Sequence, residues 1–372
     1  MQALFATLLA LLFGLSSAFA ADTIKIGVQA PITGEFALEG QGIEKAVRLL
    51  IKQQNDKGGL LGKPLEVVVC DDEGKPTQAA VCARNLINAK VLAVIGSYTS
   101  TATQAPQPIY LRAGVLQTSD ATADSLTQQK AWTFFRNSSP NGAEAGFTAD
   151  YLVNGKKYKN IVVLSDQSSY AKDLGDGVAK HVEKLGGSVT REFINAGAQD
   201  FTAVLTKIKA KNPDVLYFSG YYSDSGLIRA QQKQIGLEIP FVGGDANDNP
   251  EFLKLAGAAA AGAYLVNVPK PEYLPYPEAK NFIAAYEQAY NQKPPSIFTL
   301  TNADGLRFIL HAIEQTKSTD VRTLADFLHK LKDFPGITGP ITLDETGERV
   351  SSLFYVYEIQ PDGSYKIVYG QR

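Results

Sequence analysis

Short β-rich runs alternate with amphipathic stretches along most of the chain, and this alternation constrains the fold more than any other feature. Residues 24–30 form the first run. Residues 40–56 follow, with Ile43, Val47, Leu50 and Ile51 on one helical face and a stop at Gly58-Gly59. Residues 65–70 read as a strand and 77–89 as a helix. Residues 91–95 are the next strand, 101–112 a helix and 114–117 a short strand. Repetition of this βα kind requires a parallel sheet with helices on both faces.

A second series begins after Pro140. Its strands are 161–164, 188–194, 215–219 and 241–243, and its helices 171–185, 201–210 and 226–234. After residues 264–268 comes a proline-rich passage, 269–277, then helical patterns at 278–291, 301–316 and 323–332. Strand-like segments near 341–343, 353–359 and 365–368 close the chain. At 372 residues the chain exceeds one ordinary core. The expected fold class is therefore α/β, with two Rossmann-like lobes of parallel-rich sheet joined by three crossovers. Lobe 1 takes residues 21–140 and 269–350, and lobe 2 takes 141–268 and 351–372.

Residues 1–20 contain a leucine-rich apolar run and end Ala18-Phe19-Ala20, the pattern of a cleaved secretory signal, although no Lys or Arg precedes the run. The run is shorter than the ~20 residues of a membrane span, so a mature protein starting at Ala21 and exported to the periplasm is expected. Export would oxidise the two cysteines, Cys70 and Cys82, and a disulfide between them is favoured over two thiols. With no His nearby, two thiols are too few for a metal site. The net charge of −2, with both signs interspersed, implies neither nucleic acid nor an anionic membrane as partner.

Ligands of open α/β sheets bind beyond the carboxyl ends of strands. The segment Gly96-Ser97-Tyr98-Thr99-Ser100-Thr101 lies at one such end and opens a helix, so its hydroxyls and free amides suit a carboxylate. Plain capping explains one of those hydroxyls, not all of them. Thr118-Ser119-Asp120-Ala121-Thr122 ends the next strand. In the second series Tyr221 and Asp245 hold corresponding positions. Asp245 follows two glycines and suits an ammonium group, and Tyr170 and Tyr221 suit a cover over the ligand. Catalysis finds no support: no phosphate loop, nucleophile elbow or dinucleotide fingerprint is present, and His181, His311 and His329 lie in helical patterns away from strand ends.

These segments carry a resemblance. IKIGVQAPITGEFALEGQG, NDKGGLLGKPLEVVVCDDEGKPTQA, VIGSYTSTATQ, SDQSSYAKDLGDGV, DFTAVLTKIKAKNPDVLYFSGYYSDSG and TGPITLDETGE resemble the periplasmic leucine/isoleucine/valine-binding family of type I solute-binding proteins over almost the full mature length. The resemblance implies lobes that close on an amino acid and deliver it to an ABC-type permease, with no cofactor and a monomeric chain. It implies that Ser100 and Thr122 bind the carboxylate and ammonium ends and that Tyr221 contacts the carboxylate or covers the cleft. Asp245 would receive the ammonium, Tyr170 would be a cleft tyrosine, and Tyr98 would begin the side-chain pocket.

Three acids depart from the family pattern. Glu39 stands where a ligand-packing tyrosine is usual, Asp120 replaces a small residue, and Asp304 falls where an aromatic is common. Either they line the pocket, which would favour a polar or cationic side chain over an aliphatic one, or Glu39 and Asp304 point to solvent at the rim. A ligand-sensing module and an amidase are the rival functions. The lack of a membrane span or DNA-binding helices, and of a nucleophile–base pair, speaks against each in turn.

Overall fold

The computed structural model describes residues 23–350 and 353–370. The expected signal peptide lies outside them. The first sheet contains β1 (Ile24–Ala30), β2 (Leu65–Asp71), β3 (Ala93–Ile95), β4 (Leu116–Ser119) and β5 (Phe134–Arg136), all parallel, in the order β2-β1-β3-β4-β5. Apart from partly buried Lys25, every residue of β1 is buried, as a strand flanked on both edges and covered on both faces requires.

The second sheet contains β6 (Asn160–Ser165), β7 (Ser188–Phe193), β8 (Val215–Ser219), β9 (Phe241–Gly243) and β10 (Tyr264–Asn267), which are mutually parallel. The chain then leaves this sheet. Helix Ile297–Thr316 packs on helix Ala37–Asp56 and on the first sheet, and β11 (Phe334–Gly336) and β12 (Gly339–Ile341) form a small antiparallel hairpin against it. The chain returns as β13 (Tyr355–Ile359) and β14 (Tyr365–Gly370), which add antiparallel strands to β10. Two α/β lobes thus exchange the chain three times.

The patterns placed most elements, with several local differences. The helix read over residues 101–112 is two helices, Ser100–Gln104 and Gln107–Ala113, because Pro106 cannot donate to the helical ladder. Helix Ala37–Asp56 begins three residues before the expected start, and helix Tyr222–Gln234 four residues before. Strand β5 and helix Asn141–Asp150 were not foreseen; the latter carries buried Asn141, Glu144 and Thr148, which blur an apolar stripe. Cys70 on β2 and Cys82 on helix Pro76–Asn88 are disulfide-bonded, with Cα atoms 5.5 Å apart.

Candidate functional site

In both sheets the chain reverses direction of progress: β1 and β3 are neighbours in the first, and β6 and β8 in the second. At such switch points the loops diverge and leave a crevice beyond the carboxyl ends. The crevices face each other across one narrow cavity. Lobe 1 contributes Tyr98 and Ser100 after β3, Asp120, Ala121 and Thr122 after β4, and Phe298 from the first turn of helix Ile297–Thr316. Lobe 2 contributes Tyr170, Tyr221, Asp245 and Ala246 from the segments after β6, β8 and β9.

The geometry of the lobe 1 wall follows from its loops. Gly96 has φ +113°, and a Cβ there would sit 1.9 Å from the Gln29 carbonyl oxygen, so the turn after β3 demands glycine. Thr99 caps helix Ser100–Gln104 by accepting from the Ala102 amide at 3.2 Å, and the Ser100 hydroxyl accepts from the Ala123 amide at 3.2 Å. The helix is only five residues long, so the anion site expected from its dipole reduces to local amides and hydroxyls. Arg136, completely buried, braces the next loop: it donates to the carbonyls of Ala121 and Ala123 and is ion-paired with Glu348 at 2.6 Å.

On the lobe 2 wall Tyr170 donates to Asp245 Oδ1 at 2.7 Å. The Asp245 amide donates to Glu144 Oε1 at 3.0 Å. A Cβ on Gly244 would meet both Glu144 Oε1 and the Tyr170 hydroxyl at 3.0 Å, so the glycine admits this close contact. Burial pushes both carboxyls up, Glu144 well above the usual range with the Asp245 charge adding to the rise, while hydrogen bonds from Tyr170, the Ala246 amide and Glu144 hold Asp245 partly back.

Asp120 differs from all of these. It is 2% exposed and neither carboxyl oxygen has a hydrogen-bond partner. Its backbone carbonyl accepts from Ser138 Oγ at 2.6 Å. Burial pushes its carboxyl well above the usual range, and the Asn302 side chain, whose amide also donates to the Phe298 carbonyl at 2.9 Å, offsets this in part. The Tyr98 hydroxyl, on the same cavity wall, is also buried without a partner.

Glu39, Thr101 and Asp304 do not line this cavity. Glu39 is completely buried and bridges the lobes, accepting from Asn249 Nδ2 of lobe 2 and from Ser296 Oγ of lobe 1, each at 2.6 Å. Burial, only partly offset by those two hydrogen bonds, pushes its carboxyl up to about 7. The Thr101 hydroxyl accepts from the Ser169 amide at 3.1 Å, another contact between lobes. Asp304 is equally buried and holds the β11–β12 turn, accepting from the amides of Ile337 at 2.6 Å and Thr338 at 2.8 Å. Glu39 and Asp304 are not rim residues in solvent: both are buried, and polar neighbours satisfy them here.

Further contacts draw the lobes together. Tyr222 and Ser223 donate to Glu35, and the Phe36 ring lies 4.7 Å from that of Tyr221. The lobes meet closely enough that the cavity has a volume of only about 10 Å³, room for little more than one water molecule. A larger cavity of about 500 Å³ adjoins it across Asp245 and Phe298, walled by the crossovers at Ser138, Asn267 and Arg349. Glu144, Asn249, Ser296 and Phe298 escaped the sequence reading. Ser296 and Asn249 had a visible signal, since each precedes a helix start and caps it.

The profile of the periplasmic binding proteins matches residues 23–364. The chain belongs to this periplasmic binding protein family. It is 34% identical over 351 residues to the leucine-, isoleucine-, valine-, threonine- and alanine-binding protein of Pseudomonas aeruginosa, covering 94% of this chain and 93% of that one. It is 30% identical to a Leu/Ile/Val-binding protein homologue of Brucella melitensis, with 93% of each chain covered. Among solved structures, a leucine-binding protein from Thermotoga maritima superposes with a TM-score of 0.87 at 28% identity, covering 94% of this chain and 98% of the other. A branched-chain amino acid transporter substrate-binding protein from Streptococcus pneumoniae, in complex with isoleucine, gives 0.83 at 30% identity, with 93% and 99% covered. The type I fold of this binding protein and its place in the leucine/isoleucine/valine-binding group follow, and the family is one of the periplasm.

Proposed function

We propose that this binding protein captures a small neutral α-amino acid between its lobes and delivers it to an ABC-type permease, without catalysing a reaction. The observation that carries this reading is the cavity itself: its walls come from strand ends of both sheets and combine a carboxylate, hydroxyls and aromatic rings, with no cationic side chain in its lining. Asp245 receives the ammonium, with Glu144 as its proton-bearing neighbour. Ser100 and Thr122 take the carboxylate, Tyr170 and Tyr221 cover it, and Phe298 and Tyr98 enclose the side chain. Relatives named for leucine, isoleucine and valine, one of them also for threonine and alanine, support a small neutral ligand.

The mechanism is closure. Only the closed form gives the ligand contacts from both lobes, so ligand shifts the open–closed equilibrium toward it. In this reading residues 1–20 are the cleaved leader, and the mature chain works as a monomer. Lobe 1 comprises residues 21–140 and 269–350, and lobe 2 comprises 141–268 and 351–372. The test is a thermal shift on mature protein refolded from denaturant to remove carried-over ligand. At a hundred times its dissociation constant a cognate amino acid adds about 2.7 kcal/mol of stability, several degrees in melting temperature. No shift from any neutral aliphatic amino acid would sink the proposal.

A further inference from the structure

Asp120 and Tyr98 present a problem that the aliphatic reading leaves unsolved. Both line the interlobe cavity, and both oxygens of Asp120 and the hydroxyl of Tyr98 are buried without a hydrogen-bond partner. A buried polar group left unpaired costs about 1–3 kcal/mol, and a carboxyl against an apolar ligand would keep that cost in the complex. The remaining carboxyls near the cleft are differently placed: Glu39 is bonded to Asn249 and Ser296, and Asp245 to Tyr170 and Ala246. Asp120 alone among these three lines the cavity with neither carboxyl oxygen in a hydrogen bond of ordinary geometry.

We propose that the site selects amino acids bearing a side-chain hydroxyl, which is held between the Asp120 carboxyl and the Tyr98 hydroxyl. This rests on the amino-acid-binding reading above and specifies the substrate class of that same cavity. A hydroxyl both donates and accepts, so it serves Asp120 in either protonation state: it donates to a carboxylate, or accepts from a carboxyl that burial keeps protonated. Its remaining capacity serves Tyr98. A side-chain ammonium donates only, and matches the ionised form alone. A methyl group matches neither, leaving the polar atoms of Asp120 and Tyr98 unpaired in the complex.

Threonine and valine are close isosteres and separate these cases. An apolar pocket discriminates poorly between them, whereas a site built to bond a hydroxyl rejects the analogue lacking it. The experiment is calorimetric titration of the refolded mature chain with L-threonine, L-valine and L-2,4-diaminobutyrate. The expected result is threonine binding about tenfold or more tighter than valine, and tighter than the diamine. Asp120→Ala is expected to bring threonine and valine within about threefold of each other, and Tyr98→Phe to narrow the gap in part. Circular dichroism of each variant establishes that it is folded. Valine equal to or tighter than threonine in the unmodified protein would overturn the proposal, as would a diamine preference or a threonine preference that survives Asp120→Ala. In those cases amino-acid binding itself still stands; silence from the whole panel would instead remove the reading on which the proposal rests.

Discussion

Two regions of the cleft bury an acid completely and use it differently. At the latch, Glu39 sits between helix Ala37–Asp56 and the segment after β9, with one oxygen bonded to each lobe. At the cavity wall, Asp120 sits a comparable depth from solvent with both oxygens free. Burial raises both carboxyls, so burial alone does not reveal a role. The partners do. An acid whose bonds are closed by the protein is part of the framework, whereas one whose bonds are left open awaits a ligand.

Breaking the latch has the largest expected effect. Glu39→Ala leaves Asn249 and Ser296 unpaired in the closed form, a loss of about 1–3 kcal/mol, so ligand affinity falls by roughly ten- to a hundredfold. Because the latch does not touch the ligand, the ranking of amino acids stays the same. Altered ranking in calorimetry would mean that Glu39 belongs to the cavity after all.

The next effect is pH dependence. The Glu39 carboxyl is pushed from 4.5 up to about 7 here; parting of the lobes would expose it to water and return it toward its ordinary value. Closure therefore takes up a proton between those values, and a group raised in this way opposes closure once it must ionise. Affinity should decline as pH rises through that window, by up to about two decades, then level off. Asp120, Asp245 and Glu144 face the same region and are also raised by burial, so the informative quantity is the difference from Glu39→Gln. The two affinities should diverge as pH rises; parallel profiles would show that Glu39 does not titrate with closure.

Asp120→Ala gives the smallest effect and the opposite sign. Removing an unpartnered buried carboxyl without breaking any side-chain hydrogen bond should raise the ligand-free melting temperature by about 1–3 °C, net of the small void it leaves. A fall of several degrees would place a structural partner at Asp120 and end the contrast with Glu39.

Much of this was legible in the residues. The alternation of residues 24–30, 40–56 and 65–70 is driven by burial on both sheet faces, so periodicity alone gave the α/β class. Strand ends directed attention to Tyr98, Ser100, Asp120, Thr122, Tyr170, Tyr221 and Asp245, all of which line the cavity. Glu39, Thr101 and Asp304 do not line it, because linear position does not tell which neighbours close a side chain's bonds. The partners of Glu39 are 210 and 257 residues away, and those of Asp304 lie in the β11–β12 turn. Glu144 gave no signal because its helix lacks a clear apolar stripe, and Phe298 gave none because an aromatic at a helix start is indistinguishable in sequence from a core residue.

The most direct measurement is a crystal structure of the refolded mature protein with L-threonine. The account predicts ammonium at Asp245, carboxylate at Ser100 and Thr122, and the hydroxyl within hydrogen-bond distance of Asp120 and Tyr98, with Glu39 still bridging Asn249 and Ser296. Threonine seated instead in the larger cavity between the crossovers, beside Tyr276 and Arg349, would contradict it.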